Sequence, residues 1–217
     1  NWRMQTFAEK VFEIKVLADP FATGRYIEVP HSPALEITAG KPQRLVVVVP
    51  TVAVVGTVAT VRMRLEDRWG NVCKVKNEDL KIEKIGVVRL TKEWEGLQSE
   101  SNPMVVSDKL ETSYFWADLH GQSAETVGTG SVNEYFEFAS DKAFLDVTSI
   151  QSNDFQISDA FWRKINDLTR AMNEPGKFVL FQGYEWSGNT GSGGDRNVIY
   201  MDEGKPLIRS SHALIDD

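Results

Sequence analysis

The sequence is poor in cysteine, in histidine and in long apolar runs, and each shortage excludes a class of protein. Cys73 is the only cysteine among 217 residues, so an intrachain disulfide and a cysteine-based zinc cluster are excluded. A single cysteine also favours a reducing compartment such as the cytoplasm. The longest apolar run, residues 45–49, is far shorter than the roughly 20 residues of a membrane-spanning helix, so the sequence predicts no association with a membrane.

Basic residues are fewer than acidic ones: the sequence has 24 Lys and Arg and 31 Asp and Glu, which gives a net charge of -7. A nucleic-acid partner is therefore not expected, since phosphate backbones need a basic face. The hydrophobic fraction of 41% is that of a globular protein. A small-molecule substrate remains open, including an anionic one bound in a local basic pocket.

Nucleophilic catalysis is also disfavoured, because the sequence has few histidines and lacks a nucleophile motif. The histidines are His31, His120 and His212, and no Gly-x-Ser-x-Gly motif occurs. Cys73 lies in a β-rich region without a clear base. A Ser-His-Asp triad is therefore not expected.

Short apolar runs separated by turn signals fill residues 1–102. In residues 61–65, apolar and basic side chains alternate with period two, which predicts a half-buried strand. Several such strands predict a β-sandwich of immunoglobulin-like type. Residues 1–30 are assigned either to this sandwich or to a preceding domain.

After residue 102 the pattern changes to alternating strands and helices. Strands are predicted at 114–120, 144–150, 178–181 and 198–201, and helices at 131–139 and 159–172. Ser131, three residues before Glu134, predicts a capping box at the first helix. Strand–helix–strand alternation predicts parallel pairing in an α/β sheet or barrel.

Chemistry-bearing side chains follow these predicted strands, where α/β folds gather ligands. Asp118 and His120 end the first strand, Glu185 follows the third, and Asp195 and Arg196 precede the fourth. Such residues can hold a divalent metal and an anionic group. Each also has a purely structural interpretation. Asp118 can cap a turn, His120 can be a structural histidine with its hydrogen bonds made within the fold, and Asp195 can form a local ion pair with Arg196.

Three motifs, at residues 114–123, 181–187 and 193–198, resemble the bacterial family catalogued as domain of unknown function 3604. That family is similar to the PHP (polymerase and histidinol phosphatase) superfamily of metal-dependent hydrolases. The resemblance covers residues 103–217 and implies a distorted (β/α)7 barrel with metal ions at the carboxyl ends of its strands. The stretch 35–90 looks like the β-domain that often precedes it.

Only about four core strands are predicted after residue 102, so the resemblance implies the N-terminal part of a barrel. The remaining strands are then expected from the same chain, from a second chain or from a homo-oligomer. A start at Asn1 without an initiator methionine is expected of a fragment.

Carried over residue by residue, the resemblance implies His120, Glu185 and Asp195 as metal ligands, with His212 as a fourth. Gln122 replaces the second histidine of Asp-Leu-His-x-His, and residues 148–150 (Thr-Ser-Ile) stand where Thr-Asp-His is usual. This depleted set suits one zinc, manganese or iron ion better than a cluster.

Two functions follow from this reading. The first is a metal-dependent hydrolase, for example a phosphoesterase, in which the ion activates a water, Asp118 orients His120 or acts as a base, and Arg196 steadies negative charge. The second is a catalytically inactive PHP-like domain kept as a binding or interaction module.

Overall fold

The computed structural model describes residues 3–188 and 193–210, which form two units, each around its own apolar core. The first unit is built from short strands. They are β1 (Glu9–Glu13), β2 (Leu17–Ala18), β3 (Ile27–Glu28), β4 (Ala34–Ile37), β5 (Arg44–Val48), β6 (Val52–Val54), β7 (Val58–Glu66), β8 (Val72–Lys81), β9 (Gly86–Val88), β10 (Thr91–Trp94), β11 (Leu97–Glu100) and β12 (Met104–Ser107).

Two three-stranded sheets share the core of this unit, in the orders β5-β7-β8 and β6-β12-β9. The first sheet is antiparallel, whereas β12 runs parallel to β6 and antiparallel to β9. Ribbons β1-β4, β2-β3 and β10-β11 complete the unit. The β-rich character predicted for this region is confirmed, and its sheet extends past residue 102 because it includes β12.

Strand β7 shows the predicted alternation. Val61, Met63 and Leu65 are buried in the core, and Arg62 and Arg64 lie on the opposite face. Their guanidinium groups cross to the second unit, where Arg64 Nη1 donates to the carbonyl of Lys142 at 3.1 Å and Arg62 Nη1 to that of Phe144 at 3.4 Å. The basic face of β7 therefore joins the two units.

The second unit alternates strands and helices. In chain order they are β13 (Ala117–Gly121), α1 (Val132–Glu137), a π-helix (Phe138–Ala143), β14 (Val147–Ile150), a 3-10 turn (Asp154–Gln156), α2 (Asp159–Met172), β15 (Val179–Trp186) and β16 (Arg196–Tyr200). The sheet order is β13-β14-β15-β16, with β13, β14 and β15 parallel.

The parallel pairing predicted from strand–helix alternation is confirmed for β13, β14 and β15, whereas the predicted barrel needs correction. Strand β16 runs antiparallel to β15, and only nine residues separate these two strands, fewer than the dozen or so that a parallel crossover needs. The described strands also form an open four-stranded sheet and not a closed barrel. An α/β sheet is present, and the predicted barrel is not seen in residues 3–188 and 193–210.

Local sequence explains both helices. Ser131 and Glu134 form the predicted capping box at the start of α1. Ser158 caps α2 by accepting from the amide of Phe161. Helix α2 buries Phe161, Trp162 and Ile165 against the sheet, and each such side chain contributes about 1.5–3 kcal/mol. In the described part of the chain, no helix is long and apolar enough to cross a bilayer.

Candidate functional site

The carboxyl ends of the three parallel strands meet at one edge of the sheet, here called the rim and defined by residues 118–122, 151–153 and 185. Backbone hydrogen bonds connect the three ends. The amide of Gln151 donates to the carbonyl of Gly121 at 2.7 Å, and the amide of Glu185 donates to that of Ser152 at 2.9 Å. Polar residues that follow different strands are therefore neighbours.

A bulge in β13 sets the direction of His120. Asp118 pairs with Thr148 and Gly121 pairs with Ile150. Between these two pairs β13 has two residues and β14 has one, so β13 contains one extra residue. The extra residue breaks the strict alternation of side chains and lets His120 reach Glu185 on β15.

Tyr135 of α1 holds the other side of this bulge. Its hydroxyl donates to Asp118 Oδ2 at 3.0 Å and lies 2.7 Å from Thr148 Oγ1. The tyrosine ring passes so close to Gly121 that a Cβ there would lie 2.0 Å from Tyr135 Cζ. Only glycine therefore fits at position 121.

His120, Glu185 and Asp195 come together at the rim. His120 Nε2 lies 3.7 Å from Glu185 Oε2, with the Glu185 side chain 11% exposed and the His120 side chain 55% exposed. Burial raises the pKa of Glu185, His120 opposes that rise, and the Asp195 carboxylate adds to it by repulsion and by a shared hydrogen bond. A buried carboxylate beside a second carboxylate calls for a proton or a cation.

Gln122 donates to this carboxylate instead of acting as a ligand. Its Nε2 lies 3.2 Å from Glu185 Oε2 and 2.6 Å from the carbonyl oxygen of Gln151, and its Oε1 accepts from the Thr126 hydroxyl at 2.9 Å. Both ends of the amide are bound, so the amide nitrogen faces Glu185. An N–H donor cannot coordinate a metal ion.

Asn197 is a site residue that the sequence interpretation missed. It pairs with Glu185 across β15 and β16, and its side chain contacts the ring of His120, where Nδ1 lies 2.8 Å from Asn197 Oδ1. It lies in the third motif, directly after Arg196, and that position was the available signal. An asparagine gives no metal-ligand pattern by itself.

Position 150 is not part of the rim, contrary to the alignment of residues 148–150 with a metal-binding motif. Ile150 is fully buried in the apolar core of the second unit. The residues that reach the rim after β14 are Gln151, Ser152 and Asn153, and Asn153 forms a parallel bridge with Glu185. Neither residues 148–150 nor residues 151–153 contain a carboxylate or an imidazole.

Asp118 and Arg196, the other predicted site residues that the structure describes, make different contacts. The Asp118 carboxylate accepts from the backbone amide of His120 at 3.0 Å and not from its ring. The Arg196 guanidinium lies over the ring of Trp186, 5.4 Å from its centre. His212 lies outside the described residues.

The geometry fits part of a metal site. Two ligands bound at about 2.0–2.2 Å to one ion lie at most about 4 Å apart, and His120 Nε2 and Glu185 Oε2 meet that limit. Asp195 faces Glu185 as the third group. As they stand, however, no three His, Cys, Asp or Glu side chains within the described ranges are arranged to hold an ion.

Comparison with known proteins identifies a family for most of the second unit. Residues 90–213 match the family model described as "Protein of unknown function (DUF3604)". An uncharacterised protein of Chlamydia pneumoniae is 20% identical over 235 residues, which cover 93% of this chain and 38% of the relative. The chain thus spans well under half of that relative's length. No solved structure matches the chain.

Proposed function

The chain belongs to the DUF3604 family, and we propose that it is a metal-dependent hydrolase with one divalent ion held at the rim. His120 and Glu185 are the principal ligands, and Asp195 is the third. Zinc, manganese or iron suits this set of one imidazole and two carboxylates.

The observation that carries the proposal is the pair formed by His120 and Glu185. Their ligand atoms are 3.7 Å apart, and the Glu185 carboxyl has a raised pKa through burial and through Asp195. Placing the buried Glu185 carboxylate against the exposed carboxylate of Asp195 costs free energy unless a positive charge lies between or beside them. A cation bound at this point relieves that cost.

An ion at this position would supply Lewis acidity and lower the pKa of a water molecule. The chain's own residues do the rest. Asp118, fixed by Tyr135, is a carboxylate next to His120 that can accept a proton. Arg196 is the candidate for binding an anionic group, after its guanidinium leaves the face of Trp186.

We also propose that the second unit is related to the PHP superfamily and that the substrate is a small phosphoester. Three parallel strands with helical crossovers and ligands at their carboxyl ends support this relationship. Fold kinship does not itself supply a substrate, so the substrate class rests on the anion-binding capacity of Arg196, which follows Asp195 in the chain.

A second candidate function, an inactive domain that binds a partner, is favoured by a specific observation. Gln122 places an N–H donor against Glu185, and residues 151–153 contain no acidic or histidine side chain. Both features reduce the number of metal ligands. This candidate predicts that no divalent ion binds at the rim.

The test is calorimetric titration of the purified protein with zinc and with manganese, followed by assays with p-nitrophenyl phosphate and bis-p-nitrophenyl phosphate. We expect one equivalent of metal, and metal-dependent hydrolysis of at least one substrate. Glu185→Gln and His120→Gln should each weaken metal binding by at least tenfold.

Glu134→Gln is the matched control, because Glu134 is a partly buried carboxylate of the same unit that belongs to a helix cap. It should leave metal affinity unchanged. If neither ion binds at millimolar concentration, the hydrolase proposal is wrong and the binding-module function replaces it.

A further inference from the structure

We infer that Asn197 is a positioning residue that fixes the tautomer of His120, so that Nδ1 carries the proton and Nε2 presents its lone pair to Glu185. The significance for metal binding rests on the proposed function. The proton on Nδ1 follows from hydrogen-bond geometry alone, and the unprotonated Nε2 follows from it in the neutral ring.

The contact to the ring defines the donor. His120 Nδ1 lies 2.8 Å from Asn197 Oδ1. An amide oxygen only accepts hydrogen bonds, so Nδ1 must be the donor and must carry a hydrogen. In a neutral imidazole the other nitrogen, Nε2, then has no hydrogen.

This conclusion depends on which end of the Asn197 amide faces the ring, and a second contact decides it. Asn197 Nδ2 donates to the carbonyl oxygen of Leu119 at 3.2 Å. Reversing the amide would place Oδ1 against that carbonyl oxygen, and two acceptors would face each other without a proton. Only the orientation with Oδ1 toward His120 satisfies both contacts.

The strand register explains why Asn197 can do this. Asn197 is the cross-strand partner of Glu185 in the β15–β16 pair, so both side chains leave the sheet on the same face. His120 therefore contacts Asn197 through Nδ1 and faces Glu185 through Nε2, at 3.7 Å. The asparagine orients the ring, and the glutamate lies where the Nε2 lone pair points.

Such an arrangement prepares a ligand before any ion arrives. A histidine whose second nitrogen is bound to an oxygen acceptor is held in one tautomer and one orientation, and loss of such a partner commonly lowers metal affinity about 10- to 100-fold. Asp118 does not have this role, because it contacts the backbone of His120 rather than the ring.

The test is long-range ¹H–¹⁵N correlation NMR of the metal-free, uniformly ¹⁵N-labelled protein at pH 8.5, where histidine is neutral. His120→Gln identifies the His120 signals. We expect the wild-type ring to show a protonated Nδ1 and an unprotonated Nε2. Asn197→Asp gives up the contact to the Leu119 carbonyl but keeps an oxygen acceptor for Nδ1, so it should keep this pattern. Asn197→Leu removes the acceptor and should shift both nitrogens toward averaged values.

A wild-type ring protonated at Nε2 would overturn the inference without any variant. An Asn197→Leu protein with an unchanged His120 pattern would overturn it as well. A loss of tertiary structure would move other side-chain signals too, and wild-type dispersion elsewhere in the spectrum shows that the variant is folded.

Zinc titration of the same samples separates this inference from the proposed function. We expect Asn197→Leu to lower zinc affinity about 10- to 100-fold. If the wild-type protein shows the Nδ1-protonated ring but binds no zinc, the positioning role stands and the metal proposal fails. If zinc binds through a ring protonated at Nε2 in the metal-free protein, the positioning role is wrong and the metal proposal survives.

Discussion

Asp67 provides a quantitative test of the forces that stabilise the first unit. It follows β7, and the residue is 3% exposed. Its carboxylate accepts from the backbone amides of Gly40, Trp69 and Asn71 at 2.8–3.0 Å and from Asn71 Nδ2 at 2.8 Å. Burial would raise its pKa, but these hydrogen bonds outweigh burial and lower the pKa from 3.8 to about 2.

The lowered pKa translates into stability. A difference between 3.8 in the unfolded chain and about 2 in the folded chain corresponds to about 2.4 kcal/mol at about 1.36 kcal/mol per pH unit. Because the folded-state pKa is the lower one, this stability is fully present above about pH 5 and is lost as the pH falls toward 2. About half of it remains at pH 3.

Glu78 is the matched control. Hydrogen bonds from Lys76 and Lys92 lower its pKa from 4.5 to about 2 as well. Its side chain is 32% exposed, however, so solvent screens these ion pairs and their contribution falls below about 1 kcal/mol. Equal pKa values with unequal burial separate buried hydrogen bonds from surface charge.

The assay is urea denaturation of Asp67→Asn, Glu78→Gln and the wild type, followed by tryptophan fluorescence at pH 7, 5, 4 and 3. We expect Asp67→Asn to be less stable than the wild type by about 2 kcal/mol at pH 7, with the gap narrowing toward pH 3. Glu78→Gln should cost less than about 1 kcal/mol. A gap for Asp67→Asn that does not change with pH would refute the reasoning.

Two further predictions concern the rim. Gly121→Ala should destabilise the protein by about 1–3 kcal/mol, because the added methyl group overpacks against Tyr135. In a double-mutant cycle measured by urea denaturation, adding Tyr135→Leu should recover part of that cost. If the two losses of stability are additive, the clash between the two side chains is contradicted. Ile150→His should cost about 1–3 kcal/mol, because it buries a polar ring in the core, and should leave zinc affinity within twofold by calorimetry. Asn153→His, which places a histidine at the rim, is the positive control and should raise zinc affinity. Equal zinc affinity in the wild type and both variants would contradict the placement of the rim.

Local patterns predicted the parts of the fold that depend on nearby residues. The helix at 159–172 has its predicted bounds, because its apolar side chains repeat at helical spacing and Ser158 caps it. The capping box of Ser131 and Glu134 is also present as predicted, because it depends on two residues only three positions apart. The alternation in β7 is also local, since period-two burial is a property of a single strand.

Features that depend on pairing between distant segments could not be predicted in this way. The direction of β16 is set by its pairing with β15, and the bulge beside His120 is visible only in the register of β13 against β14. The burial of Ile150 in the apolar core likewise depends on how β14 packs against its neighbours. The role of Asn197 depends on pairing as well, because its side chain contacts His120, which lies 77 residues earlier in the chain.

The side-chain amides at the rim differ in how completely they are bound, and this difference has a functional consequence. An amide has a donor end and an acceptor end, and it holds a neighbour rigidly when both ends are bound. Gln122 and Asn197 meet this condition. Asn153 donates to the Ser187 hydroxyl at 3.0 Å, but its buried Oδ1 has no hydrogen-bond partner among residues 3–188 and 193–210. A buried amide oxygen without a donor costs free energy, and a bound water, ion or substrate hydroxyl would remove that cost. Gln122 and Asn197 thus orient the ionisable groups. Asn153 keeps capacity to bind a ligand, and so does Gln151, whose buried Oε1 likewise has no hydrogen-bond partner in the described part of the chain.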